Sequence, residues 1–164
     1  MKRFTLVSLC FIVSTAGASV AAETPKPMSE AETLLAAIDE PLTMQAIADA
    51  GLTETMAIGR LDDAEARRYI RLRAVSALGY FRTPTARARV EAAATKDADL
   101  EVRIQAVTTL ARAFGAGDVT GVIALLSSLR RAAPERLTQA IDAELRLLEP
   151  RAPVSPASGS PLNR

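Results

Sequence analysis

Residues 70–78, IRLRAVSAL, and residues 102–110, VRIQAVTTL, align without a gap at a spacing of 32 residues. Apolar and small side chains fall at the same positions in both stretches, and they recur at the interval of an α-helix. Glu65 and Asp97 precede the two stretches at the same spacing. A repeat of this length with helical periodicity inside it is typical of a helical solenoid, whose units bury their apolar faces against each other.

Each unit is predicted to be a long helix, a short turn and a second helix. The expected pairs are residues 65–82 with 85–95 and residues 99–114 with 118–131. Pro84 supports the first turn, because the residue before proline avoids helical angles. The run Gly115–Asp118 supports the second, with Asp118 as a helix cap. Val90 and Val122 keep the 32-residue spacing in the second helices.

Further helices are expected on both sides of these units. Ser29 and Glu32 form a capping-box pattern at the start of a first helix whose apolar face is Leu34, Leu35 and Ile38. A second helix is expected from Pro41 to Ala50, with Gly51 ending it, and a third carries Met56, Ile58 and Leu61 up to Asp62 and Asp63. The last, residues 134–148, closes the stack and presents Leu137, Ile141, Leu145 and Leu148.

The stretches at residues 71–79 and 97–110 resemble HEAT repeats, especially the HEAT-like subgroup of the bilin-lyase type. That subgroup has an acidic turn, then Val-Arg, Ala and Leu at helical intervals. The resemblance covers residues 62–131 and extends to the flanking helices. It implies an all-α fold, a short α-solenoid of the HEAT/armadillo type with about three antiparallel helix pairs and terminal capping helices. It also implies a concave surface lined by the second helices, which the family uses chiefly to bind proteins.

The N-terminus has the three-part pattern of a secretory signal. Lys2 and Arg3 precede an apolar run, 4–13, and small residues end at Ala22. The run is far shorter than the roughly 20 residues that span a bilayer as a helix. We therefore predict a signal peptide at residues 1–22, no membrane span after its cleavage, and a periplasmic or secreted protein. The single cysteine, Cys10, lies inside the signal, so no disulfide is expected in the mature chain.

Composition divides the rest of the chain. Residues 23–28 contain two prolines and read as a linker, and residues 29–149 carry the helical repeat domain. Residues 150–164 are rich in Pro, Ser, Ala and Gly and lack an apolar period. We expect this tail to be disordered, because it has too little apolar surface to bury.

The residue inventory argues against catalysis. The chain has no His and its mature form no Cys, so the commonest general base, thiol nucleophile and zinc ligands are missing. Asp97, Asp99 and Glu101 look like the start of a calcium loop, but the loop's glycine and final glutamate positions are Val102 and Thr108, so a turn with a helix cap is favoured. The glycines of 115–121 follow a helical face, not the strand of a phosphate-binding loop. We predict no catalytic residue, metal or cofactor.

Charge gives the one functional indication. Without Lys2 and Arg3, 18 basic residues stand against 19 acidic ones, so binding to nucleic acid is not expected. Five arginines fall on or beside the second helices and predict a basic concave strip for an acidic protein segment. They are Arg60, Arg87, Arg89, Arg130 and Arg131. In the alternative, arginines such as Arg71 and Arg103 pair with acidic turns of neighbouring repeats.

These observations favour a non-catalytic, exported adaptor or scaffold of the cell envelope that binds a protein. Two alternatives remain open at this point. In the first alternative the chain is an enzyme or an accessory subunit, because some HEAT-like domains resemble those of bilin-attachment lyases. In the second it is a purely structural part of an envelope assembly. The sequence sets neither the partner nor the oligomeric state.

Overall fold

A computed structural model describes residues 28–149, which form eight α-helices and no strand. In chain order they are α1 (Glu30–Ala36), α2 (Met44–Asp49), α3 (Glu54–Asp62), α4 (Arg68–Phe81), α5 (Pro84–Lys96), α6 (Leu100–Thr109), α7 (Val119–Arg130) and α8 (Glu135–Leu148). A π-helical segment, Leu110–Phe114, continues α6. The predicted signal peptide at 1–22, the predicted tail at 150–164 and all of the predicted linker except Met28 lie outside the described residues.

The helices stack in two layers. In the first layer α4 packs between α1 and α6, and α6 packs between α4 and α8. In the second layer α3 packs beside α5, and α7 lies on α8 and on the π-helical segment. Contacts between the layers join α3 to α4 and α5 to α6. The predicted α-solenoid is therefore confirmed, and the two matching first helices, α4 and α6, are neighbours.

The repeated apolar positions form the core between these layers. The fully buried pairs at the 32-residue spacing are Ala74 with Ala106, Val75 with Val107, and Leu78 with Leu110. Full burial of a valine or leucine side chain contributes about 1.5–3 kcal/mol. Because each pair lies on adjacent helices, the repeat in the sequence is a repeat of the packing that holds the layers together.

Two local signals lie where the sequence predicts them, one at the start of α1 and one after α2. The Glu32 N–H donates to Ser29 Oγ at 3.3 Å, and the Ser29 N–H donates to Glu32 Oε2 at 3.0 Å, which completes the capping box. Gly51 follows α2 with a φ of 62°. A side chain would make that left-handed backbone costly, so glycine suits the position.

Thr83 links α5 to α3 within the second layer as well as capping α5. Its Oγ1 accepts a hydrogen bond from the Ala86 N–H at 3.0 Å and donates one to Glu54 Oε1, at the start of α3, at 2.7 Å. We expect Thr83→Ala to lower the free energy of unfolding by about 1–2 kcal/mol. The matched control is Thr85→Ala, an exposed threonine on the same helix, expected to cost less than about 0.5 kcal/mol. Urea unfolding measures both, and equal losses would contradict the cap.

The 32-residue spacing does not extend to the second helices. α6 begins 32 residues after α4 (Leu100 against Arg68), whereas α7 begins 35 residues after α5 (Val119 against Pro84). The π-helical segment and the longer turn before α7 take up the extra residues. Val90 and Val122 are both buried, but Val122 follows its helix cap by four residues and Val90 follows its own by seven. The predicted match between them is therefore off by about one helical turn.

The N-terminal helices are shorter than predicted. α1 ends at Ala36, and Ile38, expected on its apolar face, is 70% exposed in the bend that follows. α2 begins at Met44 with Thr43 as its cap, so Pro41 lies before the helix instead of in its first turn. Thr43 Oγ1 accepts from the Ala46 N–H, and that bond replaces the expected proline start.

The acidic turns match at a different residue from the one expected. Asp97 Oδ1 accepts from the N–H two residues on, at 2.9 Å, and Asp63 Oδ1 does the same at 3.0 Å. Both aspartates directly follow a second-layer helix. Asp63, and not Glu65, is therefore the counterpart of Asp97.

Candidate functional site

The five arginines of the predicted strip lie on or just after second-layer helices, as the repeat predicts. Arg60 is on α3, Arg87 and Arg89 are on α5, Arg130 ends α7, and Arg131 follows it. They do not come together as one cluster. Four of the five bind a carboxylate of this chain, each at a different junction between helices.

Two of these ion pairs hold the N-terminal unit. Arg60 pairs with Glu32 on α1 and also lies 3.5 Å from Asp63. Arg89 pairs with Asp62 at the end of α3, and so ties α3 to α5. All of these side chains are roughly one-third to two-fifths exposed. Ion pairs this accessible contribute about 0–1 kcal/mol each, so they align the units more than they stabilise them.

Arg87 joins α5 to the cap of α7. Its Nε donates to Glu91 at 2.8 Å, and a terminal nitrogen lies 2.9 Å from Asp118 Oδ2. The hydrogen bond that Arg87 donates to Glu91, followed by the one it donates to Asp118, raises the pKa of Arg87. The Gly121 N–H, and next Arg87, hold the pKa of Asp118 below its usual range. The pair therefore stays charged in mildly acidic solution.

Arg130 and Arg131 differ in what they contact. Arg130 lies 2.5 Å from Asp142 on α8. Arg131 is exposed, and its guanidinium donates to Ser128 Oγ at 3.3 Å. Arg131 is thus the member of the strip that an acidic ligand meets without displacing a carboxylate of residues 28–149.

Two arginines at matching repeat positions have structural roles. Arg71 Nε donates to the carbonyl oxygen of Leu61 at 3.0 Å, and Arg103 Nε donates to that of Ala94 at 3.2 Å. Each therefore binds a carbonyl at the end of the preceding second-layer helix, where the helix dipole is negative. Arg71 also lies 2.5 Å from Asp97. The predicted pairing with an acidic turn is confirmed for Arg71, whereas Arg103 binds a carbonyl instead.

Sequence reasoning missed two polar side chains inside the fold. Arg73 donates to the carbonyls of Leu34 and Glu40 at 2.9–3.2 Å, and its burial lowers its pKa. Glu144 occupies the buried stripe of α8, where Leu145, expected in the core, is only partly buried. Arg112 binds Glu144 at 3.2 Å. Arg112 and Glu144 are 32 residues apart, which is the repeat length. Opposite charges at that spacing could have indicated this pair from the sequence.

The acidic cluster that looks like a calcium loop is fully engaged by arginines and backbone. Asp97 binds Arg71, Asp99 binds Arg68 at 2.5 Å, and Glu101 binds Arg136 at 2.7 Å. Asp99 also caps α6, which confirms the turn-and-cap prediction. Desolvation raises the pKa of Asp99, but hydrogen bonds from Arg68 and the backbone outweigh it and leave that pKa lowered. Within residues 28–149 no group of three or more potential ligands is placed to hold a metal ion.

Solvent-open pockets of about 310–390 Å³ lie between neighbouring helices. Two of them meet at Arg82, an exposed residue with a left-handed φ of 53° in the turn between α4 and α5. Arg112 lines one of these two and Arg87 the other. A pocket between α1 and α3 is mainly apolar. In the described part of the chain, no helix has the length and apolar character needed to cross a bilayer.

Comparisons with known proteins agree with this architecture. No curated protein and no solved structure is significantly similar to the chain. The family of HEAT repeats matches residues 56–145, more than half of the chain, from α3 into α8. Proteins of this family generally mediate protein–protein interaction and are typically not catalysts. The chain belongs to the HEAT repeat family.

Proposed function

We propose that this chain is an exported, non-catalytic adaptor that binds a protein partner in the cell envelope, in the periplasm or outside the cell. The observation that carries the proposal is the HEAT-repeat solenoid itself, whose exposed second layer and inter-helical pockets form an extended binding surface. Export rests on the signal pattern at residues 1–22. The lack of His and of a mature Cys supports a role without catalysis.

The proposal includes an acidic segment of the partner bound along the basic strip. Four of its arginines already bind carboxylates, but those pairs are partly exposed and individually weak. Carboxylates of a partner can therefore replace them at little cost, while the existing pairs hold the guanidinium groups in place. Arg131 offers the first contact because no carboxylate of the described residues binds it.

Capture from an envelope fraction tests the adaptor. The immobilised protein should capture one specific partner. The amount captured should fall about tenfold when the five arginines of the strip are all changed to Gln: Arg60, Arg87, Arg89, Arg130 and Arg131. Gln is preferred to Glu because Glu would place carboxylates directly against the acids that these arginines bind. The matched control is Arg146→Gln, an exposed arginine on α8 outside the strip, which should change capture less than about twofold.

Other outcomes separate the parts of the proposal. Undiminished capture by the five-Gln variant, at an unchanged melting temperature, would remove the strip and leave the adaptor. Absence of any specific partner for the wild-type protein would refute the adaptor itself. Turnover of a small substrate by purified protein would refute the non-catalytic role.

A further inference from the structure

Exposed apolar side chains concentrate at the N-terminal end of the solenoid. Five large ones stand out in the part of the chain that the structure describes, and four of them lie within residues 28–56. The five are Met28, Ile38, Met44, Met56 and Leu147. The end units of a solenoid ordinarily present a polar outer surface, because no further repeat covers them. An apolar end therefore marks an interaction surface.

A pocket at this end can receive an apolar side chain. It has a volume of about 310 Å³, lies between α1 and α3, and is lined by Ala31, Leu35, Leu52, Met56 and Gly59, with the ion pair of Glu32 and Arg60 at its rim. That volume is at the lower end for ligand sites, which suits the anchor side chain of a protein segment. Methionine at the mouth adapts to different anchor shapes. We call the pocket lined by these residues the N-terminal groove.

Acidic side chains outnumber basic ones around the groove. Residues 28–59 contain six acidic side chains and not a single Lys or Arg. At the rim Arg60 binds both Glu32 and Asp63, so one cation faces two carboxylates. An apolar pocket in a negative field is complementary to a segment with an apolar anchor and flanking Lys or Arg side chains.

We infer that the N-terminal groove docks a basic amphipathic segment of a protein partner, as a site separate from the basic strip. A second copy of this chain would present Leu147, on α8, as an exposed apolar residue of its other end. The crosslinking experiment below separates that occupant from a partner segment. An adaptor with one acidic and one basic docking surface joins two partners of opposite charge.

Gly59 gives a test that does not threaten the fold. A Cβ at this position meets nothing within 4 Å, so Gly59→Leu extends into the pocket that Gly59 lines. Leucine also forms helices better than glycine, and the variant should melt no lower than the wild type. The probe is a labelled amphipathic helical peptide of Leu and Lys, added to the full chain and followed by fluorescence anisotropy.

We expect saturable binding of this peptide and at least about tenfold weaker binding to Gly59→Leu. A peptide with Glu in place of every Lys should also bind at least about tenfold more weakly. The matched control, Leu147→Asn at the opposite end, should change affinity less than about twofold. Unchanged binding to Gly59→Leu, or equal binding of the Glu peptide, would overturn the groove.

A photo-crosslinking amino acid in place of Met56, in the full chain, identifies what occupies the groove. A crosslink to the Lys peptide supports the inference, whereas a dominant crosslink to residues 1–27 or to a second copy overturns it. The five-Gln variant of the strip should still bind the peptide within about twofold. If the protein binds the peptide but captures no envelope partner, the adaptor fails and the groove stands. If the protein captures an envelope partner but does not bind the peptide, the adaptor stands and the groove fails.

Discussion

Gly115→Ala is expected to lower the free energy of unfolding by about 2–3 kcal/mol, although alanine is ordinarily the better residue in helical backbone. Gly115 closes the π-helical segment, where its N–H donates to the Leu110 carbonyl five residues back at 3.0 Å. A Cβ at this position would strike the Ala111 carbonyl oxygen and lie 2.7 Å from Leu148 Cδ2. The backbone carbonyl cannot move without breaking the π-helical turn, so the added methyl group displaces α8 or unwinds the segment.

Two other glycines serve as controls with different expected signs. A Cβ at Gly117 meets only the Phe114 carbonyl at 3.9 Å, and Gly117→Ala should change stability by less than about 0.5 kcal/mol. Gly59 lies in α3 with open space around it, and Gly59→Ala should stabilise by about 0.5–1 kcal/mol. Urea unfolding of the three variants gives the comparison. If Gly115→Ala unfolds with the wild type, the segment is not as tightly packed as its contacts indicate.

The sequence predicts the matching parts of α4 and α6 well because their packing repeats at 32 residues up to Leu78 and Leu110. Val75 and Val107 are both fully buried, so the same apolar side chain recurs at the same spacing. The sequence predicts the second layer less well. When two helices are aligned about one helical turn out of register, their apolar residues still fall on the same face, so the sequence does not reveal the shift. Val90 and Val122 match in the sequence for that reason, although they occupy different turns of their helices. The π-helical segment leaves no periodic pattern that the sequence could show.

The candidate site is predictable in position but not in partners. The predicted helices place the five arginines on or beside the second layer, yet they do not say which carboxylates meet them. Those carboxylates are mostly far away in the chain: Glu32 is 28 residues from Arg60, and Asp62 is 27 residues from Arg89. Spacings near one repeat length are those of side chains on adjacent units. A search for opposite charges about one repeat apart would therefore find these pairs.

Arg112→Ala is expected to cost about 2–3 kcal/mol through the carboxylate that it leaves behind. Glu144 is 5% exposed in the core stripe of α8; Arg112 binds its Oε1 at 3.2 Å, and its Oε2 has no hydrogen-bond partner among the described residues. Removing one member of a fully buried ion pair costs about 3–5 kcal/mol. The side chain of Arg112 is 70% exposed, so water screens part of the interaction and the smaller loss applies.

Replacing the carboxylate itself should have the opposite effect. Glu144→Leu places an apolar side chain between Ile141 and Leu148 in the buried stripe, and it should leave stability unchanged or raise it by about 1 kcal/mol. In that background Arg112→Ala should cost less than about 0.5 kcal/mol, which gives a coupling of about 2 kcal/mol in a double-mutant cycle.

The pair of Arg130 and Asp142 is the matched control for this cycle. It also joins an arginine to a carboxylate of α8, but it lies nearer the surface. Arg130→Ala should cost at most about 1 kcal/mol. Urea unfolding of the single and double variants measures each term. Burial of the carboxylate, and not the presence of an arginine, sets how much the free energy of unfolding falls. Equal losses for Arg112→Ala and Arg130→Ala would therefore mean that Glu144 is solvated in solution.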